Sequence, residues 1–211
     1  MLEQYITIKK NAHYETTIQK SRFITHIQRV ETEQEAKRFI QAIKKAHSQA
    51  NHNCSAYLIG EHDQYQKAND DGEPSGTAGV PMLDVLKKRH LKNVAVVVTR
   101  YFGGIKLGAG GLVRAYSHSV SDALIAIGLV ECQLMTLLSC TVTYPLQPIV
   151  EHALSKKELA IENVNYNEFV TFTIFVKQSE LPNTSAWLTD ITNGSAQIVM
   201  GENRYLERSL S

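Results

Sequence analysis

Two glycine-rich segments hold the residue types most capable of chemistry. The first runs Asp70, Asp71, Gly72, Glu73, Pro74, Ser75, Gly76, Thr77. Three carboxylates within four positions could chelate a hard cation or supply a general base. A calcium loop between two helices also needs oxygen ligands at fixed later intervals and a distal Glu, and the sequence lacks them. The density of turn formers favours a shaped loop, with backbone at positive φ or lying close against a neighbour. A metal ion or other cofactor is not expected.

The second segment, Arg100 to Gly111, reads RYFGGIKLGAGG and lies between an apolar β-branched run and a helical pattern. Free amides at a helix N-terminus, together with the helix dipole, attract anions. Gly103, Gly104, Gly108, Gly110 and Gly111 would let a phosphate approach the backbone, and Arg100, Lys106 and Arg114 could neutralise it. Tyr101 and Phe102, if exposed, could stack on bases. No Gly-Lys-Ser/Thr follows, so this is not a phosphate loop of the nucleotide triphosphatase kind, and the glycine spacing does not fit a dinucleotide fingerprint. The competing reading is structural glycines with core aromatics.

His52 and Cys54, two apart in a strand, face the same side and could touch. A thiolate nucleophile also needs a base within reach and an orienting group, whereas Cys54 opens an apolar strand, where a buried free cysteine is common. Neither a GxSxG elbow nor an HExxH zinc motif occurs. No catalytic residue is assigned.

These segments need elements to hold them. Strands are expected at Tyr5–Ile8, His13–Ile18 and Phe23–Val30, rich in β-branched and aromatic residues. A helix from Thr32 to His47 follows, with the Thr32/Glu35 capping-box spacing and Ala36, Phe39, Ile40, Ile43 and Ala46 on one face. Strands at Cys54–Ile59 and Tyr65–Ala68 precede the acidic loop, and Pro81 opens a short helix to His90. Val94–Thr99, VAVVVT, reads as a strand buried on both faces. A helix from Leu112 to Ile127 is closed by Gly128. The pattern then restarts: strand Leu137–Tyr144, helix Leu146–Leu159, hairpin Ile161–Tyr166 and Phe169–Lys177 about Asn167, helix Pro182–Ile191, strand Ala196–Met200. That βαββαβ order is ferredoxin-like, and Trp187 is expected to anchor its core. The fold class is therefore α+β, a two-layer α/β domain over 1–131 and a ferredoxin-like domain over 132–211.

With 22 Lys+Arg against 21 Asp+Glu, the 211-residue chain looks unsuited to a polyanion. Location reverses that impression. Residues 1–121 hold 17 basic and 11 acidic groups, a balance of +6, and the remainder holds 5 and 10, a balance of −5. No acid lies between Asp84 and Asp122, a stretch containing Lys87, Lys88, Arg89, Lys92, Arg100, Lys106 and Arg114. Such asymmetry points to a polyanionic partner. The plainer reading is a solvated basic face. At 43% hydrophobic and 20% charged residues the composition is that of a globular protein. No apolar run approaches the ~20 residues that cross a bilayer. No secretory signal opens the chain, and the three cysteines form no disulfide framework. A cytoplasmic setting is expected.

Four stretches, KSRFI (Lys20–Ile24), HNCSAYLIG (His52–Gly60), DDGEPSGTAGVP (Asp70–Pro81) and VVVTRYFGGIKLGAGGLVRAYS (Val96–Ser117), resemble the YigZ/YvyE/IMPACT family, with Ser55 where an aromatic is often found. The resemblance implies an N-terminal domain similar to the second domain of a small-subunit ribosomal protein and to the fourth domain of elongation factor G. It implies a C-terminal domain similar to the fifth domain of that factor. Eukaryotic relatives regulate translation by binding a partner in the amino-acid-starvation pathway, through an extra N-terminal domain not expected here. Bacterial members are suspected nucleic-acid or ribosome binders with no established catalysis.

The leading expectation is an RNA- or ribosome-associated protein acting in translation. It would contact phosphates through Lys87, Lys88, Arg89, Arg100, Lys106 and Arg114. One alternative is an enzyme or phospho-ligand binder built on both glycine-rich loops, which requires the loops to share a cleft with the acids pointing in. Another is an adaptor whose basic patch meets an acidic protein of the translation machinery.

Overall fold

The computed structural model describes residues 2–210, which form two compact units. One runs through Cys132 and takes in the residues from Glu207 onward; the other is Gln133–Leu206. The first contains β1 (Gln4–Ile8), β2 (Ala12–Ile18), β3 (Ser21–Arg29), α1 (Glu33–Ala46), β4 (His52–Ile59), β5 (Tyr65–Asn69), α2 (Gly79–Lys88), β6 (Val94–Tyr101) and α3 (Gly108–Ile127). The sheet runs β2-β3-β6-β4-β5, with every pair antiparallel.

The central strand β6 explains the layering. Its side chains alternate between faces, and both faces are apolar. Val94, Val96 and Val98 join Phe23, Ile27, Ala56 and Leu58 beneath Met82 and Leu86 of α2 and Leu112, Tyr116 and Val120 of α3. Ala95 turns the other way, with Tyr57 and Ile59, onto Ala36, Phe39 and Ile40 of α1. Helices thus cover both faces of the sheet, and the two-layer expectation is corrected to three layers. A strand with no polar face requires apolar cover on each side.

Helix termini follow local chemistry with two departures. Thr32 Oγ1 accepts from Glu35 N at 3.2 Å, but the Glu35 carboxylate reaches back to the Glu31 amide at 2.8 Å rather than to that of Thr32. The second departure is at α3, which begins at Gly108 rather than Leu112, so GAGG forms its first turn. Glycine is costly in a helix interior but less so at a fraying end. The second glycine-rich loop is therefore only residues 102–107, because β6 also runs on through Tyr101.

The second unit uses the βαββαβ order read from the sequence: β7 (Leu129–Val142), α4 (Gln147–Lys156), β8 (Ile161–Tyr166), β9 (Val170–Val176), α5 (Leu181–Ile191) and β10 (Gln197–Leu210). Strands pair β10-β7-β9-β8, and Leu138, Cys140, Phe172 and Ile174 pack with Val150 and Leu154 of α4 and Leu188 of α5. Trp187 is only partly buried at the margin of this core, with Lys157 Nζ 4.4 Å from its ring. Both long strands pass the division between units, and β10 extends ten residues beyond the expected end at Met200. Most of β10 is exposed, so it lacks the alternation that marks a half-buried strand.

Candidate functional site

Antiparallel register brings Arg100 on β6 opposite Phe23 on β3 and His52 on β4. The residue is 5% exposed. Its Nη1 donates to Glu73 Oε1 at 2.7 Å, and its Nη2 to Ser21 Oγ at 3.4 Å. The guanidinium lies 5.5 Å from the ring centres of both Phe23 and Phe102, and Nε has no hydrogen-bond partner. Arg100 is thus not one of the surface cations that the sequence grouped with it. A cation this deep needs a buried carboxylate, and Glu73, 8% exposed, supplies one.

The acidic loop exists in this shape because of Asp70. Its carboxylate accepts from the amides of Gly76 (2.9 Å), Ala78 (3.0 Å) and Gly79 (2.8 Å), tying the loop to the start of α2. Burial raises the Asp70 carboxyl, and the three amide bonds outweigh that, leaving it below the usual range. Asp71, at φ 46°, accepts from Asn53 N at 2.7 Å and pairs with Lys44. Burial raises it too, while Lys44 and the Asn53 amide lower it further. Gly72 and Gly76 take φ of 88° and 76°, which glycine adopts without penalty. Ser75 is exposed on the turn, and Thr77 is buried with its Oγ1 on the Pro74 carbonyl at 2.6 Å. The resulting backbone path turns Glu73 inward, where Tyr116 OH donates to Oε1 at 2.8 Å and His52 Nε2 stands 3.8 Å from Oε2.

His52 and Cys54 do not form a pair. The Cys54 Sγ donates to the Asp70 carbonyl at 3.0 Å and contacts Tyr116 OH at 3.3 Å, while His52 Nδ1 meets the Asp71 carbonyl at 3.0 Å. Burial pushes the Cys54 thiol up to about 12 and the Tyr116 hydroxyl well above its ordinary range. Neither is a nucleophile in this state.

The two loops converge on one cleft of about 360 Å³, lined by His52, Glu73, Arg100, Phe102, Lys106 and Gly108, among others. Phe102 is 44% exposed, and its amide is held by Asn51 Oδ1 at 2.8 Å. No side chain caps α3 and no acid lies in its first turn, so its leading amides remain free. Gly103 packs so tightly that a Cβ would sit 1.9 Å from the Lys20 carbonyl oxygen, whereas Gly104 and Gly108, at φ 87° and 69°, have open space around theirs. Gly110 and Gly111 belong to the first turn of α3.

Other cations of the sequence reading lie elsewhere. Lys87 and Lys88 are exposed in the last turn of α2 and Arg89 follows as its C-cap, about 15 Å along the helix from the end that Asp70 holds. Arg114 is exposed on α3 beside a separate hollow with Gln19 and His118. The sequence reading did not single out Tyr116, Ser21 and Asn51, which hold the site. One signal was available: an arginine directly after a strand buried on both faces demands a buried partner.

The Impact N-terminal domain matches residues 19–124, and a domain of unknown function, DUF1949, matches residues 140–195. The IMPACT family member YvyE of Bacillus subtilis is 54% identical over 211 residues, covering 100% of this chain and 97% of that protein. The IMPACT family member YigZ of Escherichia coli is 35% identical over 184 residues, covering 86% and 90% respectively. A crystal structure of a hypothetical protein superimposes with a TM-score of 0.61 at 32% identity, over 96% of this chain and 99% of that one.

Proposed function

The chain belongs to the IMPACT family, and on that premise we propose that it is an RNA-binding, ribosome-associated protein of the cytoplasm acting in translation by contact rather than catalysis. The observation that carries this reading is the exposed Phe102 beside the exposed Lys106 and the uncapped start of α3. An aromatic face next to cationic and amide donors is how single-stranded nucleic acid is held without sequence preference. Lys87, Lys88, Arg89 and Arg114 supply further exposed positive charge. In this reading the second unit is ferredoxin-like and, by resemblance to an elongation-factor domain, orients the protein on the ribosome or meets a translation protein. The first unit corresponds to the ribosomal-protein and elongation-factor domains named above.

Catalysis by the acidic loop is disfavoured by its bonding. Asp70 is engaged by three amides, Asp71 by Lys44 and Asn53, and Glu73 by Arg100 and Tyr116. The loops share a cleft, but no carboxylate of the three is left as an unengaged base.

Filter binding of a short single-stranded RNA tests the proposal. Affinity should fall with salt, and Phe102→Ala should weaken binding by about 1–3 kcal/mol. Lys87→Ala with Lys88→Ala should lower it evenly across sequences and reduce the salt slope. Absence of RNA retention at low salt, with no ribosomal co-sedimentation, would refute it.

A further inference from the structure

We propose that the cleft between the two glycine-rich loops seats a phosphate monoester carrying an aromatic base: a free 5′-nucleotide, or the 5′ end of an RNA chain. The phosphate sits on the first amides of α3, beside Lys106 and the Arg100 guanidinium, and the base lies on Phe102. This goes beyond sequence-tolerant RNA binding, because it specifies a terminal phosphate and does not need the remainder of a strand.

Two independent observations meet here. The 20-residue α3 opens without a capping side chain or an acid in its first turn, so its free amides and dipole face whatever enters. Space is available there, since even a Cβ on Gly108 would meet nothing within 4 Å. Arg100, buried to 5% exposure and lining the same cleft, carries an Nε–H with no acceptor. Leaving such a donor unpaired is costly; the atom is closed to solvent as the cleft stands, and a phosphate oxygen is an acceptor suited to it once the guanidinium turns toward the ligand.

Charge and shape agree with that ligand. Glu73 is negative, but Arg100 Nη1 and Tyr116 OH both bond to its Oε1, so its charge is answered within the wall. Lys106 and the helix end then leave the mouth net positive. Phe102 presents an exposed ring with the Arg100 guanidinium 5.5 Å from its centre, one face thus remaining for a base. A volume of about 360 Å³ suits a small ligand and is too little for a folded partner.

The test titrates the full chain with 5′-AMP, and separately with adenosine, following the phosphorus resonance and calorimetric heat. AMP should bind and adenosine should bind far more weakly. Ala109→Asp places a carboxylate on the exposed first turn of α3, where it favours the helix but repels a phosphate. It should lower AMP affinity at least about tenfold with an unchanged or raised melting temperature. Lys106→Ala should weaken binding several-fold. Equal binding of AMP and adenosine, unchanged affinity in Ala109→Asp, or no AMP binding at millimolar concentration would overturn the proposal.

A second arm compares a short RNA bearing a 5′-phosphate with its 5′-hydroxyl form. Stronger retention of the phosphorylated chain than of AMP supports the RNA end as the source, and equal affinity supports the free nucleotide. RNA retention indifferent to the 5′-phosphate, without AMP binding, sinks the terminal-phosphate site and leaves general RNA binding standing. AMP binding without RNA retention does the reverse.

Discussion

Breaking the Glu73–Arg100 pair should destabilise the first unit far more than replacing the pair together. The contact is 2.7 Å long, with side chains 3% and 6% exposed. Glu73→Gln keeps volume and an acceptor for Tyr116, so its cost is that of a guanidinium left buried without its counter-charge, about 3 kcal/mol. Arg100→Met leaves a carboxylate buried and unpaired, about 3–5 kcal/mol. In the double variant neither charge remains, and the cost falls to about 1–3 kcal/mol, since neutral replacements of a buried pair are often tolerated. The coupling energy should therefore be at least about 2 kcal/mol. Urea unfolding followed by far-ultraviolet circular dichroism, with amide exchange on β6 and α3, measures it. Trp187, the single tryptophan, lies in the second unit, so its fluorescence reports that unit and should shift little. Single-variant costs that add to within about 0.5 kcal/mol of the double would refute the account of Arg100 as a buried, Glu73-dependent cation.

Asp70→Asn should cost about 2 kcal/mol, because an amide cannot accept at all three positions that the carboxylate serves. It should also remove a stability contribution that the wild type holds above the unfolded carboxyl pKa and loses as pH falls through the lower folded value, below about pH 4. Acid titrations of stability that coincide for the two proteins would argue otherwise. Gly103→Ala should be lost to folding or destabilised by several kcal/mol, since its Cβ meets backbone at 1.9 Å, while Gly104→Ala, in open space at φ 87°, should cost about 1 kcal/mol. Thermal melts of the two variants check the contrast. His26, between His13 and His47, is held down to about 4 by burial and then by those neighbours. The unfolded chain therefore takes up a proton that the folded one refuses as pH drops from about 6.5 to about 4. Stability should decline across that window by up to about 3 kcal/mol, less the screening at a partly exposed ring. His26→Phe should flatten the decline, and an unchanged pH profile would place its origin elsewhere.

Much of the fold was legible because its signals are local. VAVVVT announced a strand with two apolar faces, and the turn-rich stretch after Ala68 announced a loop. The restart after Gly128 announced a second βαββαβ unit. Where reading stopped short, the signal was missing: β10 has no buried face for most of its length, and GAGG gave no hint of being a helical turn. The cations around the glycine-rich segments are neighbours in sequence but not in space. Lys87 to Arg89 lie at one end of α2, Arg114 lies on the flank of α3, and of these cations only Lys106 and the buried Arg100 line the cleft.

From its order alone, the sequence determined most of the segments that become strands and helices, the +6 and −5 halves, and the family. Each of those depends on neighbours along the chain or on simple sums. Tertiary structure decided what the charges do. Glu73 and Arg100 are 27 residues apart, and only the β4–β6 register and the Asp70-anchored loop bring them to 2.7 Å. Burial then makes Arg100 an internal ion-pair partner of Glu73 at the wall of the cleft, while Lys106, Phe102 and the start of α3 stay exposed at its mouth.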